Sequence, residues 1–173
     1  MKSQYIIKTD VDKEICIYTA GLFDGEGSVV IAKKKPRKPT QKETYELWAG
    51  VGVCNKEIMD RIGDEFGASP FLKNRTKPKG KEYWSDYHYI QLHGNNAVRF
   101  LLQIYPHLRI KIKQADLAFE FQKRVNARQS RFGGHLGGGN PLKEGELEIR
   151  HEMYLKMLEL NKRGKVEDLA KQG

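Results

Sequence analysis

Asp24 and Glu26 stand either side of Gly25 in the segment Thr19-Ala20-Gly21-Leu22-Phe23-Asp24-Gly25-Glu26-Gly27, which closes an apolar stretch just before a β-branched run. Carboxylates in such a setting can offer hard oxygen ligands to a divalent cation, or can accept hydrogen bonds from backbone N–H groups where a helix gives way to a turn. A calcium loop of the EF-hand kind is a weaker reading, because its ligand spacing and closing glutamate are missing. In a helix Gly21 and Gly25 lie four residues apart and share a face with Tyr18 and Leu22 nearby. Small residues there would let a second helix backbone approach closely. The plainer alternative is that these glycines only end a helix and open a turn, as in any Asp-Gly-x-Gly.

Other chemistries find less support. Cys16 and Cys54 have no zinc-like spacing with the histidines and read as small apolar residues of a reducing compartment. Residues 129 to 141 are rich in glycine with Phe132 and Leu136 embedded, but lack the GK[ST] that opens a helix in a phosphate-binding loop, so they read as a flexible linker.

The whole chain carries 31 Lys and Arg against 22 Asp and Glu, a formal charge of +9, which points to a polyanionic partner, nucleic acid ahead of an acidic membrane surface. No apolar stretch approaches the roughly twenty residues of a membrane span, and Met1-Lys2-Ser3-Gln4 begins neither a secretory signal nor a convincing transit peptide. A soluble, intracellular protein is expected, not a secreted one. Its 173 residues suffice for one domain with a real core.

The elements that must position Asp24 and Glu26 can be read from periodicity. Asp10 or Asp12 can cap a helix through Ile15, Ile17, Tyr18, Leu22 and Phe23, stopped by Gly25 and Gly27. Ser28 to Ala32 reads as a strand running into the basic loop Lys33-Lys34-Lys35-Pro36-Arg37-Lys38-Pro39. Tyr45, Leu47, Ala49, Val51 and Val53 alternate with Glu46, Trp48, Gly50, Gly52 and Cys54, the clearest strand in the chain. Asn55 can cap a short helix ended by Gly67. A second hairpin follows, Phe71 to Thr76 and Trp84 to Leu92 about the turn Lys77-Pro78-Lys79-Gly80-Lys81. Asn95 or Asn96 can cap a helix ended by Pro106, and Leu108 to Val125 reads as a long amphipathic helix. Beyond the linker, Leu147 to Leu160 suggests a last helix that packs on the core or places Arg150, His151, Lys156, Lys162 and Arg163 near phosphates. The expected division is a core over 1–128, a linker over 129–141 and a helical extension over 142–173.

With these elements placed, the segment at 19 to 27 resembles the motif of the LAGLIDADG homing endonucleases. A second match supports it: Pro106-His107-Leu108-Arg109-Ile110-Lys111-Ile112-Lys113-Gln114-Ala115 resembles the family's stretch before its long helix. Phe71 to Arg75 and Ser85-Asp86-Tyr87 resemble strands of the second hairpin in the single-motif, homodimeric branch. The resemblance covers roughly residues 12 to 125. It implies an α+β fold with an α-β-β-α-β-β-α-α core, a curved antiparallel DNA-binding sheet backed by helices, and here an added C-terminal helix.

The resemblance also implies roles. Glu26 aligns with the metal-binding acid, which in the family is more often Asp, and Gly25 with the position whose carbonyl helps coordinate the metal, Mg2+ or Mn2+. Asp24 is expected to be structural. Asn55 aligns with a polar residue that orients water, and Lys111 with a lysine that polarises that water or stabilises developing charge, Lys113 being the fallback. One acid per chain makes half a site, so a homodimer packed through Tyr18, Gly21, Leu22 and Gly25 is expected, cutting both strands of DNA to leave short 3′ overhangs.

Recognition would fall to the sheet, since a two-stranded ribbon fits the major groove. Glu46 and Trp48 would face DNA with Gly50 and Gly52, whose lack of a side chain permits close approach. Lys73, Arg75 and Lys77 share one face of the second hairpin, joined by Asp86 and His88, with Arg75 the strongest candidate for a bidentate guanine contact. Lys34, Lys35, Arg37 and Lys38 could grip phosphates. A twofold dimer predicts a long pseudo-palindromic target, and the resemblance implies an intron-encoded gene and a place in prokaryotic cytoplasm or an organelle. A non-cleaving DNA-binding regulator, an RNA-binding intron maturase of the same fold, and an unrelated basic RNA-binding module are the other readings.

Overall fold

The computed structural model describes residues 8–36, 43–73, 86–129 and 144–162. In chain order these form α1 (Lys13–Glu26), β1 (Ser28–Lys34), β2 (Thr44–Val53), α2 (Lys56–Phe66), β3 (Phe71–Leu72), β4 (His88–His93), α3 (Gly94–Ile104), α4 (Ile112–Gln129) and α5 (Glu146–Leu160). The strands make a four-stranded antiparallel sheet in the order β1-β2-β4-β3. The α-β-β-α-β-β-α-α order is therefore present, followed by a fifth helix.

Alternation decides which face is covered. Val29 and Ile31 of β1, Tyr45, Leu47, Ala49 and Val51 of β2, and Ile90 and Leu92 of β4 are all buried, and the register sets them on one face. The helices lie there. Phe23 of α1, Phe66 of α2 and Phe100 of α3 meet edge to face, with Phe100 5.7 Å from Phe23 and 4.9 Å from Phe66. Each fully buried ring contributes on the order of 2 kcal/mol through burial, so the helix that carries Asp24 and Glu26 is anchored at its last turn. Gly27 belongs to that anchor: a Cβ there would sit 2.4 Å from the Phe23 ring and 2.5 Å from its carbonyl oxygen.

Two expected helix starts need correction. Neither Asn95 nor Asn96 caps α3, which starts at Gly94, a residue at φ 53°; the Asn95 side chain instead accepts from Gln122 and Asn126 of α4. The long helix begins at Ile112 rather than Leu108, because the Arg109 and Lys111 N–H groups are drawn to Asp24. Pro106 sits in a short 3-10 turn, Tyr105–His107, between α3 and that loop. By contrast Asp12 caps α1, accepting from the Glu14 and Ile15 N–H groups, and Gly67 closes α2 at φ 70°. The expected strands over 74–76 and 84–85, and the linker over 130–141, lie outside the described residues.

The fifth helix is packed on the core. Met153 and Met157 are buried, Asn161 donates to the Val29 carbonyl at 2.8 Å, and the Tyr45 hydroxyl meets His151 Nδ1 at 2.8 Å. Arg150 is buried and donates to Glu146 at 2.9 Å, so it is turned inward and away from any phosphate. The Asn161 bond satisfies a carbonyl of β1, an edge strand that would otherwise offer its backbone to other chains.

Candidate active site

The two acids of the opening helix separate at once. Asp24 is buried, and its carboxylate accepts from the Arg109 N–H at 2.7 Å and the Lys111 N–H at 3.0 Å. It thereby clamps the loop ahead of α4 and places negative charge at that helix's N-terminus, which carries the positive end of its dipole. The Lys111 ammonium returns to the Asp24 backbone carbonyl, a C-terminal carbonyl of α1. It is Lys111 that reaches the end of α1, while Lys113 is exposed on the first turn of α4.

Glu26 is exposed at the last position of α1. Gly25 is exposed beside it, with open space where a Cβ would stand. The last carbonyls of a helix lack intrahelical partners and form the negative end of its dipole, so the Gly25 carbonyl and Glu26 carboxylate together offer oxygens of the kind a hard divalent cation takes. The residues present fit such an ion. Among the described residues no group of three His, Cys, Asp or Glu side chains capable of holding a metal is assembled. Further oxygens would have to come from elsewhere.

Asn55 follows the C-terminal end of β2, which runs three residues past Gly50, the partner of Ser28 at the start of β1. It therefore stands at the end of the sheet where α1 meets β1. Its Oδ1 accepts from the Ile58 N–H at 3.0 Å as the cap of α2, which leaves its amide nitrogen to meet a water.

The exposed side of α1 carries the expected small-residue face. A Cβ at Gly21 meets nothing within 4 Å, and neither does one at Gly25. Around them Ile17 and Tyr18 are 48% and 49% exposed, unusual for large apolar side chains, and Leu22 is half-buried. Ile110, in the loop clamped by Asp24, is also exposed.

On the sheet face opposite the helices, register groups Lys34, Glu46, Trp48, Gly50 and Gly52 with Tyr89, Gln91 and His93. Glu46 is held between the Lys34 ammonium and His93 Nδ1, the latter at 3.2 Å. Lys73 extends β3 on this same face, its N–H donating to the Tyr87 carbonyl at 2.8 Å. Lys35 is exposed just beyond β1. Arg37, Lys38, Arg75 and Lys77 lie outside the described residues.

His88 requires correction. It pairs with Val53 and Leu72 and shares the parity of Ile90 and Leu92, so it faces the helices rather than joining Lys73. Asp86 precedes β4, and Tyr87 is the residue opposite Lys73. Tyr89, Gln91 and His93 are the β4 residues on the open face, as apolar Ile90 and Leu92 on the other face require by alternation.

The role expected of Gly50 and Gly52 is also overturned. A Cβ at Gly50 would stand 2.4 Å from the Tyr89 hydroxyl oxygen and 2.7 Å from the Ile90 carbonyl. One at Gly52 would stand 2.4 Å from the His88 carbonyl and 2.6 Å from the Tyr89 ring. These glycines admit β4 and its tyrosine, and the space above them is already taken. Burial, and then the neighbouring Tyr87, push the Tyr89 phenol up to about 12.

No helix among the described residues is long and apolar enough to cross a membrane. No family model matches the chain. Sequence comparison aligns it with DNA endonuclease I-CreI of Chlamydomonas reinhardtii at 30% identity over 123 residues, 69% of this chain and 69% of that protein. Among solved structures, homing endonuclease I-CvuI superposes with a TM-score of 0.64 at 15% identity, covering 88% of this chain and 86% of its own. The archaeal intron-encoded homing endonuclease I-Vdi141I, complexed with DNA, gives 0.61 at 16% identity over 88% of each chain. The LAGLIDADG homing endonuclease I-GzeII gives 0.53 at 11% identity over 87% of this chain and 44% of its own. A motif helix ending in Gly25 and Glu26, the clamped loop carrying Lys111, the helix-backed antiparallel sheet and the relationship to I-CreI agree: this chain belongs to the LAGLIDADG homing endonucleases.

Proposed function

We propose that the protein is a homodimeric, site-specific DNA endonuclease that uses Mg2+ or Mn2+ to make a double-strand break with short 3′ overhangs in a long pseudo-palindromic target, and so promotes intron mobility. The observation that carries this reading is the division of labour at the end of α1, where Asp24 is spent on the loop of Lys111 while Glu26 stays exposed. Supporting it, I-CreI is a DNA endonuclease, I-CvuI has been solved with its target in the presence of Ca, and I-Vdi141I is intron-encoded and binds DNA.

Glu26 and the Gly25 carbonyl would hold the metal, with phosphate oxygens of the substrate. The bound ion supplies an acidified water and counter-charge for a phosphorane-like transition state. The chain's own residues do the rest. Lys111, tethered to the last turn of α1, keeps a positive charge near Glu26 to polarise water or offset charge developing on phosphate oxygens. Asn55 offers its amide nitrogen to orient water. Gly21 and Gly25 let the α1 helices of two protomers approach, with Tyr18, Leu22 and Ile17 packed around the contact. Two Glu26 carboxylates would then come near each other, and their mutual repulsion favours a shared environment of divalent metal. The protein would act wherever its host intron's DNA lies, in prokaryotic cytoplasm or an organelle.

The deciding experiment is to join the exons that flank the reading frame, and incubate that duplex with the protein and Mg2+. Cleavage within the joined sequence is expected, and Glu26→Gln should abolish it while leaving binding largely intact. Cleavage by the variant at the wild-type rate would remove Glu26 from the metal site. Binding of the duplex without any cleavage by the wild-type protein would favour a DNA-binding regulator.

A further inference from the structure

On the open face of the sheet, the hollow above Gly50 and Gly52 is filled by an aromatic group. Tyr89 lies in it as a floor, only 5% exposed. Phe71 of the neighbouring strand stands edge-on to Tyr89, their ring centres 5.8 Å apart and 79° between planes. Tyr87 stacks alongside at 6.1 Å and 26°. The Lys73 ammonium rests 4.5 Å above the Tyr89 ring, a cation–π contact that holds a flexible side chain at the rim. Phe71 itself is 46% exposed, so the group has an outer surface.

The polarity of that surface is what distinguishes it. The Tyr89 hydroxyl is turned toward Gly50, as the 2.4 Å approach of a Cβ built there shows, so its one polar atom points along the sheet and not outward. Phe71 has no polar side-chain atom. β2 contributes only glycine at these two levels. At Phe71 a duplex seated here would meet ring carbons where a hydrogen-bonding side chain would otherwise read a base edge. In the major groove the apolar feature that distinguishes one base is the thymine 5-methyl group, which apolar side chains read by contact.

We propose that Phe71, with Tyr87 and Tyr89 behind it, is a base-reading plate that selects thymine through its 5-methyl group at one pair of symmetry-related positions of the target. This rests on the DNA-binding reading above. The rim ammonium of Lys73 adds attraction for the phosphates on either side of the groove, which fits a duplex better than an uncharged partner. The hairpin's Phe71 forms part of the edge strand β3, so a polar substitution there leaves the buried core of the sheet intact.

The test is selection of sites by the full-length protein from a duplex library with randomised bases, done in parallel for wild type and Phe71→Ser. Wild type should enrich thymine at one symmetric pair of positions, and Phe71→Ser should lose preference there while keeping it elsewhere. In the selected duplex, replacing those two thymines with uracil removes only the methyl groups. Burial of one methyl is equivalent to about fourfold in affinity, so wild-type binding should weaken about fifteenfold for the pair. This second measurement uses the unmodified protein and so holds even if the variant fails to fold. Wild-type binding to the uracil duplex within about twofold of the thymine duplex would overturn the proposal, as would retained thymine preference in a folded Phe71→Ser. Single-stranded RNA competing as well as the selected duplex would also overturn it, pointing to stacking on exposed bases. Failure of wild type to enrich any duplex would instead overturn the DNA-binding reading on which the proposal stands.

Discussion

Replacing Asp24 should cost stability, whereas replacing Glu26 should cost activity, and the former can be sized from the hydrogen bonds. The Asp24 carboxylate takes two backbone N–H donors, at 2.7 and 3.0 Å, from a buried position. Hydrogen bonds to a charged group contribute about 1.5–3 kcal/mol each, and a carboxylate at a helix N-terminus adds about 0.3–1 kcal/mol. Asp24→Asn keeps the shape and one acceptor but sets an NH2 group against the second donor. It should therefore lose about 2–4 kcal/mol, out of the roughly 5–15 kcal/mol that holds a domain folded. For a chain of this size that is a fall in Tm of about 5–12 °C. Asp24→Ala, which orphans both donors, should lose more. Urea unfolding of wild type, Asp24→Asn and Glu26→Gln at one fixed protomer concentration measures this, since a dimer's midpoint depends on concentration. Glu26→Gln, at an exposed position, should stay within about 0.5 kcal/mol of wild type. An Asp24→Asn protein equally close to wild type would refute the structural assignment of Asp24 and with it the separation of the two acids.

Gly21→Leu should leave the protomer folded, because its Cβ meets nothing within 4 Å and leucine is the better helix former, yet should weaken self-association; sedimentation of wild type and variant at micromolar concentration checks it. An unchanged dimer would move the interface off this face of α1. The Tyr89 phenol sits at about 12 against an ordinary value of 10.0, so the folded protein favours its neutral form. That contribution is complete below pH 10.0 and lost as pH rises toward 12, up to about 3 kcal/mol. Stability of Tyr89→Phe should accordingly fall less steeply than wild type over that window in pH-dependent unfolding, and parallel slopes would count against a buried Tyr89.

Capping and strand alternation act over a few residues, which is why much of the fold could be read along the chain. Asp12 and Asn55 cap α1 and α2 as their types suggest, and period two in β2 assigns Leu47 and Val51 to the helix side. The start of α4 departs from the local pattern for a distant reason. At Arg109 and Lys111 the backbone N–H groups are claimed by a carboxylate 85 and 87 residues away, and no local pattern reports so distant an acceptor. His88 differs in kind, because alternation with Ile90 and Leu92 sets its face locally, whatever its polarity.

By itself the sequence determined the family, the motif helix that ends in two acids, and the pairing of alternation with a sheet that has one covered face. These are properties of residue type and spacing, and spacing is what a helix or strand converts directly into a face. The resemblance alone implied different roles for the two acids, and only the tertiary structure shows where each one goes. Asp24 and Glu26 are alike in charge and two positions apart, yet α1 turns one into the clamped loop and leaves the other exposed at the helix end. It decided likewise that Gly50 and Gly52 admit Tyr89 rather than DNA, because a glycine records only that something comes close, and what comes close is supplied by another strand.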